Sequence, residues 1–362
     1  MIEEFLSKII NKAIELQASD IHISVNNKIA FRTNTGLEQI DDFGILGIKE
    51  TKSLSESLFD KLLDSSKNYL KKELCEKYHT GFGFKYEKLK FRVNISTFLG
   101  GYYIVMRKNT AEPIPLDSLG FNSITLSALE TVQKKHAGLF LVVGQTGSGK
   151  STTLAGIIKA INEKQEKNII TLEDPIEYEH LSKKSIVVQK ELGRDLVSFN
   201  EGLRSALRED PDIILVGEIR DMETLNLALK AAETGHLVLS TLHTDNSVST
   251  LQRIIAMSPA GTEEFVRSRL SDSLIGVIAQ KLIRTSDNKR TLIWDILMQN
   301  TATANNIKDN SINQIKASLD TIPMSQSYNK TLEQLYKNNK IDMKDALKYS
   351  SDKESLARAL NS

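Results

Sequence analysis

The chain has 362 residues, 40% of them hydrophobic and 26% charged, which suits two or three folded domains and excludes wholesale disorder. Its 47 Lys and Arg stand against 46 Asp and Glu, so with a net charge of +1 no global basic field draws it to nucleic acid or an anionic bilayer. One cysteine, Cys75, excludes an internal disulfide and a four-thiolate zinc site.

The first predicted element is an amphipathic helix over Ile2–Leu16, with Phe5, Ile9, Ile10, Ala13 and Ile14 near one face. Its interspersed charges distinguish it from a signal peptide. Two strands follow, Asp20–Val25 and Lys28–Arg32, with Asn26-Asn27 as the turn. A polar helix is expected over Thr51–Lys71. Strands are read at Gly81–Tyr86 and Leu89–Ile95, and Gly100-Gly101 turns into a third at Tyr102–Arg107. These elements make a small α+β domain over residues 1–107. Residues 108–118, with Pro113 and Pro115 among only six prolines, read as a linker.

The texture then changes. The apolar runs Leu139–Val143, Ile169–Leu172, Ile213–Val216 and Leu237–Leu242 alternate with helical stretches, which predicts a parallel sheet covered on both faces. This α/β core is expected to span 119–290. Residues 291–362 read as a mostly helical tail, with a strand only at Thr291–Ile296. No stretch approaches the ~20 apolar residues needed to cross a bilayer.

The strongest chemical signal is Gly144-Gln145-Thr146-Gly147-Ser148-Gly149-Lys150-Ser151, which satisfies G-x-x-x-x-G-K-[ST] between a buried strand and a helix that continues through Thr152. Gly147 and Gly149 let the backbone turn its N–H groups onto a phosphate, and the helix N-terminus adds a favourable dipole. Lys150 is placed to reach β- and γ-phosphates, and Ser151 to bind Mg²⁺. Downstream, Asp212–Glu218 is an apolar strand ending in an acid, the Walker B pattern. Leu172-Glu173-Asp174-Pro175-Ile176-Glu177 gathers three carboxylates just past a strand, where one can orient or deprotonate a water. His236 and His243 bracket another strand. His243 falls at its C-terminal end, where α/β sheets bind ligands, and the spacing lacks companion ligands for a metal site.

Four ordered motifs together resemble the type II/type IV secretion ATPases, hexameric RecA-like motors, and among them the retraction ATPases of type IV pili. Ala18-Ser19-Asp20-Ile21-His22 is similar to the family's N-terminal S-D-[LI]-H signature, Leu172–Glu177 to its Asp box, Asp210–Asp221 to its Walker B region, and Gly235-His236 with Thr241–Thr244 to its His box. The resemblance implies a PAS-like N-terminal α+β domain, a RecA-like P-loop ATPase domain and a helical tail. It implies ATP and Mg²⁺ as cofactors, with Glu177 as general base and Glu218 beside the metal. His243, and less directly His236, would link phosphate status to the subunit interface, and Arg92 and Arg107 would clamp the γ-phosphate. The partners implied are five further copies in a homo-hexamer, an inner-membrane pilus platform protein and, indirectly, the pilin filament. No nucleic acid is expected, and the location implied is cytoplasmic, at the inner-membrane base of the pilus machine. Two departures stand out: no arginine occurs between Arg92 and Arg107, and Thr303–Asn310 lacks both arginines of the family's C-terminal retraction signature. The alternatives are a pilus-assembly or type II/IVB secretion motor of the same fold, and, in another class, a RecA-like nucleic-acid translocase.

Overall fold

The computed structural model describes every residue except Met1, Asn34, Leu63, Lys88, Thr110, Ala111, Asn288, Ser351 and Ser362. The chain divides into two compact units. The first comprises residues 1–111 with two excursions, 174–177 and 190–198. The second comprises 112–173, 178–189 and 199–362. Two residues of the expected linker, Thr110 and Ala111, lie outside the described residues.

The first unit contains α1 (Ile2–Glu15), β1 (Asp20–Ile23), β2 (Asn27–Arg32), β3 (Leu37–Leu46), α2 (Ile48–Phe59), α3 (Asp64–Lys77), β4 (His79–Tyr86), β5 (Leu89–Phe98) and β6 (Gly101–Asn109). Its strands form one antiparallel sheet in the order β3-β2-β1-β6-β5-β4. Strand alternation sorts the two faces. Ile21, Ile23, Phe82, Phe84, Phe91, Val93, Ile95, Ile104 and Met106 join Leu6, Ile9, Ile10, Leu54, Leu58 and Leu70 of the helices in one apolar core. The opposite face carries a polar row in which Arg32, Asp20, Arg107, Arg92 and Gly83 are successive cross-strand partners.

The single helix expected over Thr51–Lys71 is instead two, α2 and α3. In one continuous helix the stripe of Leu70 and Leu74 would point nearly half a turn away from that of Leu54 and Leu58, at about 100° per residue. Breaking the helix lets both stripes reach the same core. Strand β3 was not anticipated, because its sequence LEQIDDFGIL leaves only Leu46 buried and so carries no clear alternation.

The second unit contains a 3₁₀ turn (Leu116–Leu119), α4 (Ser123–Gln133), β7 (Gly138–Val143), α5 (Lys150–Lys164), β8 (Asn168–Glu173), β9 (Ile186–Glu191, its last two residues in the first unit), α6 (Phe199–Ala206), β10 (Ile213–Val216), α7 (Met222–Glu233), β11 (Leu237–Leu242), α8 (Ser247–Ala256), α9 (Glu263–Ser273), β12 (Leu274–Arg284), β13 (Arg290–Met298), α10 (Thr301–Lys308), α11 (Ile312–Ser318), α12 (Tyr328–Lys337), α13 (Met343–Tyr349) and α14 (Lys353–Asn361). The seven strands run β13-β12-β7-β11-β10-β8-β9. Strands β12, β7, β11, β10 and β8 are mutually parallel, and β13 returns antiparallel on β12. Strands β7, β10 and β11 are buried along their whole length, as continuous apolar runs require when both faces are covered. Residue 290 falls at the β12–β13 hairpin, so the strand after it completes the same sheet. No helix among the described residues is long and apolar enough to cross a membrane.

Strand β13 places Asp295 in the interior, 3% exposed, where its Oδ1 accepts the N–H of Ser247 at the start of α8 (3.0 Å). Burial pushes this carboxyl up to about 6, against the partial offset of its hydrogen bonds with Ser247. The folded chain therefore holds this proton more tightly than the unfolded chain, whose value is near 3.8. The resulting stabilisation is complete below pH 4 and disappears as pH rises through about 6. Asp295→Asn keeps an oxygen acceptor for Ser247 and removes the titration. Between pH 5 and 8 its stability should rise relative to the native chain by about 1–2 kcal/mol. Urea unfolding at the two pH values checks this; an identical stability difference at both would refute it.

Candidate nucleotide site

Parallel β7 ends at Val143 and α5 begins at Lys150, so residues 144–149 must reverse the chain at the C-terminal edge of the sheet. Three glycines make the turn with left-handed or otherwise glycine-favoured backbone: Gly144 at φ 147°, Gly147 at 78° and Gly149 at 93°. At Gly144 the restriction is also spatial. A Cβ there would lie 2.5 Å from both the Gln280 carbonyl oxygen of β12 and Ser148 Oγ. Gln280 is itself fixed by a buried hydrogen bond from its Nε2 to Thr153 Oγ1 on α5 (2.8 Å). The loop is thus clamped between the strand on one side and its own helix on the other.

Lys150 Nζ donates to the carbonyls of Gly144 (2.8 Å) and Gln145 (3.1 Å), which holds the ammonium over the loop. Ser148 Oγ is buried and has no hydrogen-bond partner among the described residues. A buried hydroxyl, a run of turned backbone N–H groups and a helix N-terminus form a cradle whose chemistry suits phosphate oxygens. Gln145 Nε2 donates to Asp245 Oδ1 (3.3 Å), and Thr152 Oγ1 shares a hydrogen bond with Tyr178 OH (2.8 Å).

The neighbouring strands bring carboxylates to the same edge. Glu218, just past β10, accepts from Arg220 Nε through Oε2 (2.8 Å), and its Oε1 lies 3.3 Å from His243 Nε2. The backbone below it is pinned, because Thr241 Oγ1 and Ser240 Oγ of β11 donate to the carbonyls of Gly217 and Val216, both at 2.7 Å. At the end of β8, Glu173 Oε1 accepts from Thr171 Oγ1 (2.6 Å) and Gln189 Nε2 (2.9 Å). His236 sits elsewhere. It precedes β11 at the sheet's opposite edge, about 20 Å from His243 at ~3.3 Å per strand residue. There its Nδ1 is 3.0 Å from the Ala231 carbonyl oxygen.

The remaining predicted residues belong to the first unit. Arg92 and Arg107 are directly opposed on β5 and β6. Arg107 Nε donates to Asp20 Oδ1 at 2.6 Å, while Arg92 is exposed and makes no ion pair among the described residues. Burial alone would push Asp20 up, but hydrogen bonds from Ser19 and Arg107 outweigh it and hold the carboxyl below its ordinary value. Glu177 is carried by the excursion 174–177. Sequence reasoning assigned no role to Arg220, Gln280, Asp245 or Tyr178. Arg220 lay in plain view two residues after Glu218, whereas Gln280 becomes meaningful only once β12 is placed beside the loop.

A parallel sheet with a glycine-built phosphate loop, a lysine over it and an acid at the next strand end defines a P-loop ATPase domain. The family model for type II/IV secretion system proteins matches residues 1–359. The chain is 45% identical over 271 residues to the twitching motility protein of Neisseria gonorrhoeae, covering 74% of this chain and 71% of that one. It is 39% identical over 305 residues to the type IV pilus retraction ATPase PilT of Pseudomonas aeruginosa, covering 84% and 85%. A crystal structure of the pilus retraction motor PilT with bound ADP superposes with a TM-score of 0.87 at 40% identity, over 97% of this chain and 98% of that one. The Legionella pneumophila ATPase DotB gives 0.83 at 26% identity, over 98% and 96%. This chain belongs to the type II/IV secretion system protein family.

The clamp at Gly144 gives a direct test. In Gly144→Ala the methyl would meet the backbone oxygen of Gln280, and its φ of 147° is strained for any side chain. We expect a loss of about 1–3 kcal/mol in stability and at least tenfold weaker ADP binding. Thermal melts and titration with a fluorescent ADP analogue check both; wild-type affinity would show that the loop does not need this close approach.

Proposed function

We propose that this chain is an ATP-hydrolysing motor that retracts type IV pili, working as a ring of six subunits on an inner-membrane platform protein and acting on the pilin filament through it. The observation that supports this reading best is the extent of the likeness to the pilus retraction motor PilT: it runs through both units, not the ATPase domain alone.

In this reading the loop N–H groups, Ser148 and the α5 N-terminus receive the phosphates, and Lys150 exchanges its loop carbonyls for β- and γ-phosphate oxygens. Ser151 and Glu218 would hold Mg²⁺. A hydroxyl and a carboxylate are the hard oxygen donors that ion prefers. Among the described residues no group of three His, Cys, Asp or Glu could hold a metal, so most of its ligands would be phosphate oxygens and water, as at other nucleotide sites. When bound, the ion supplies charge neutralisation on the phosphates. Glu177 takes the proton of the attacking water. His243, in contact with Glu218, links the state of that carboxylate to the residues after β11. Arg92 has its guanidinium available to a neighbouring subunit's nucleotide, whereas Arg107, engaged with Asp20, orders the strand beside it.

Two experiments decide the main points. Glu177→Gln should still bind ATP but hydrolyse it at least 10²-fold more slowly; near-normal turnover would remove the base assignment. Cells carrying Lys150→Ala in place of the native chain should show excess, immobile surface pili, as should a deletion strain. Bald cells would make the chain an assembly motor instead.

A further inference from the structure

Glu191, the last residue of β9, is a carboxylate only 2% exposed. Its Oε1 accepts the backbone N–H of Gly83 on β4 at 2.7 Å, and its Oε2 accepts the backbone N–H of Ile176 at 3.1 Å. All three residues belong to the first unit. Strand β4 is the edge of that sheet, so Glu191 satisfies an outward N–H that has no strand to pair with. The fit is close: a Cβ on Gly83 would stand 2.8 Å from Oε2 and 3.0 Å from Oε1. Gly83 is also the cross-strand partner of Arg92. The carboxylate therefore occupies the position next to Arg92 in the polar row, where a side chain of β4 would otherwise begin.

Glu191 is held in turn by its own loop. Its N–H donates to Asp195 Oδ2 (2.9 Å), and its carbonyl accepts from the N–H groups of Arg194 and Asp195. Ser66 Oγ of α3 donates to the Arg194 carbonyl (2.8 Å), a second tie between this loop and the N-terminal domain. The residue immediately after Ile176 is Glu177. The backbone that sets the place of Glu177 is thus tied, through one buried carboxylate, to the sheet that carries Arg92 and Arg107.

We propose that Glu191 is a positioning residue for hydrolysis, acting through Glu177 by fastening the Asp-box backbone at Ile176 to strand β4 at Gly83; this rests on the reading of Glu177 as the base. Arg194 Nη1 stands 3.9 Å from Oε2 and adds a charge contact, but the two backbone donors need two acceptor oxygens, and an amide supplies only one of them while turning an N–H₂ towards the other donor. Displacing a general base by a fraction of an ångström lowers turnover without weakening nucleotide binding, since the phosphate cradle is built from other residues.

The test is a double-mutant cycle on the full-length chain, reading kcat and KM for ATP, with single-turnover rates for the slow variants. Glu191→Gln should lower kcat by about tenfold or more and leave KM within about twofold. In a Glu177→Gln background, Glu191→Gln should cost less than about twofold further, because two residues acting through one step are not additive. A folded Glu191→Gln with normal kcat overturns the proposal. So does a rise in KM that accounts for the loss, or a full multiplicative loss in the Glu177→Gln background. If Glu191→Gln gives no cooperative melt, Gly83→Ala replaces it in the same cycle with the same expectations, the methyl displacing the carboxylate from β4. Normal turnover in Glu177→Gln alone is a different failure: it removes the base assignment, and with it this role for Glu191.

Discussion

The packing of the loop backbone at Gly144 against the carbonyl of Gln280 is the constraint on which the candidate nucleotide site depends. It leaves 2.5 Å where a side chain would start, so β12 and the loop approach too closely for any side chain at position 144. That approach sets the direction in which the chain leaves β7, and therefore where α5 begins and where its unpaired N–H groups point. Lys150 and Ser151 are the first two residues of α5, so their backbone positions follow from where the helix begins. The hydrogen bond from Gln280 to Thr153 closes the arrangement by tying the strand to the first turn of the same helix.

The electrostatics of the sheet edge follow from its topology. Parallel strands deliver their C-terminal ends to one side, and here those ends carry Glu173 and Glu218, with His243 next in line. Carboxylates gathered at one edge repel unless each is compensated. Glu218 is compensated by Arg220 and faces His243, and Glu173 by the hydroxyl and amide donors of Thr171 and Gln189. The lysine donates to the neutral carbonyls of Gly144 and Gln145, contacts that are exchanged for phosphate oxygens at small cost.

Most of this was legible in the sequence because the signals are local. The phosphate loop, the buried strands and the acid after β10 each declare themselves within about ten residues, and the glycine pattern carries its own reason. The elements that were missed lack such signals. Strand β3 is exposed along nearly its whole length. The Thr51–Lys71 stretch has helical composition throughout, and only the change of apolar stripe between Leu58 and Leu70 marks the break. Within the site, His236 and His243 look equivalent as bracketing residues of one strand, yet a parallel strand has two distinct ends and only one of them lies at the nucleotide edge. Arg92 and Arg107 likewise look alike in the sequence. The register that sets Asp20 opposite Arg107, and not opposite Arg92, is what gives them different partners.

That register also explains why an acid is wanted at position 20. Three arginines, Arg32, Arg107 and Arg92, fall in one row across neighbouring strands, at the spacing where like charges destabilise a sheet. Asp20 stands between Arg32 and Arg107, and its ion pair removes one of the three charges from the repulsion. At the far end of the row Gly83 contributes no side chain, and the carboxylate of Glu191 takes that place from a distant part of the chain. The row thus reads cation, anion, cation, cation, anion, and Arg92 is flanked by one like and one opposite charge. A guanidinium so placed is neither buried nor neutralised by a close partner, which is the condition an arginine must meet to move onto a phosphate. The same carboxylate fastens the Asp-box backbone, so the electrostatic completion of this row and the placement of Glu177 are one structural event.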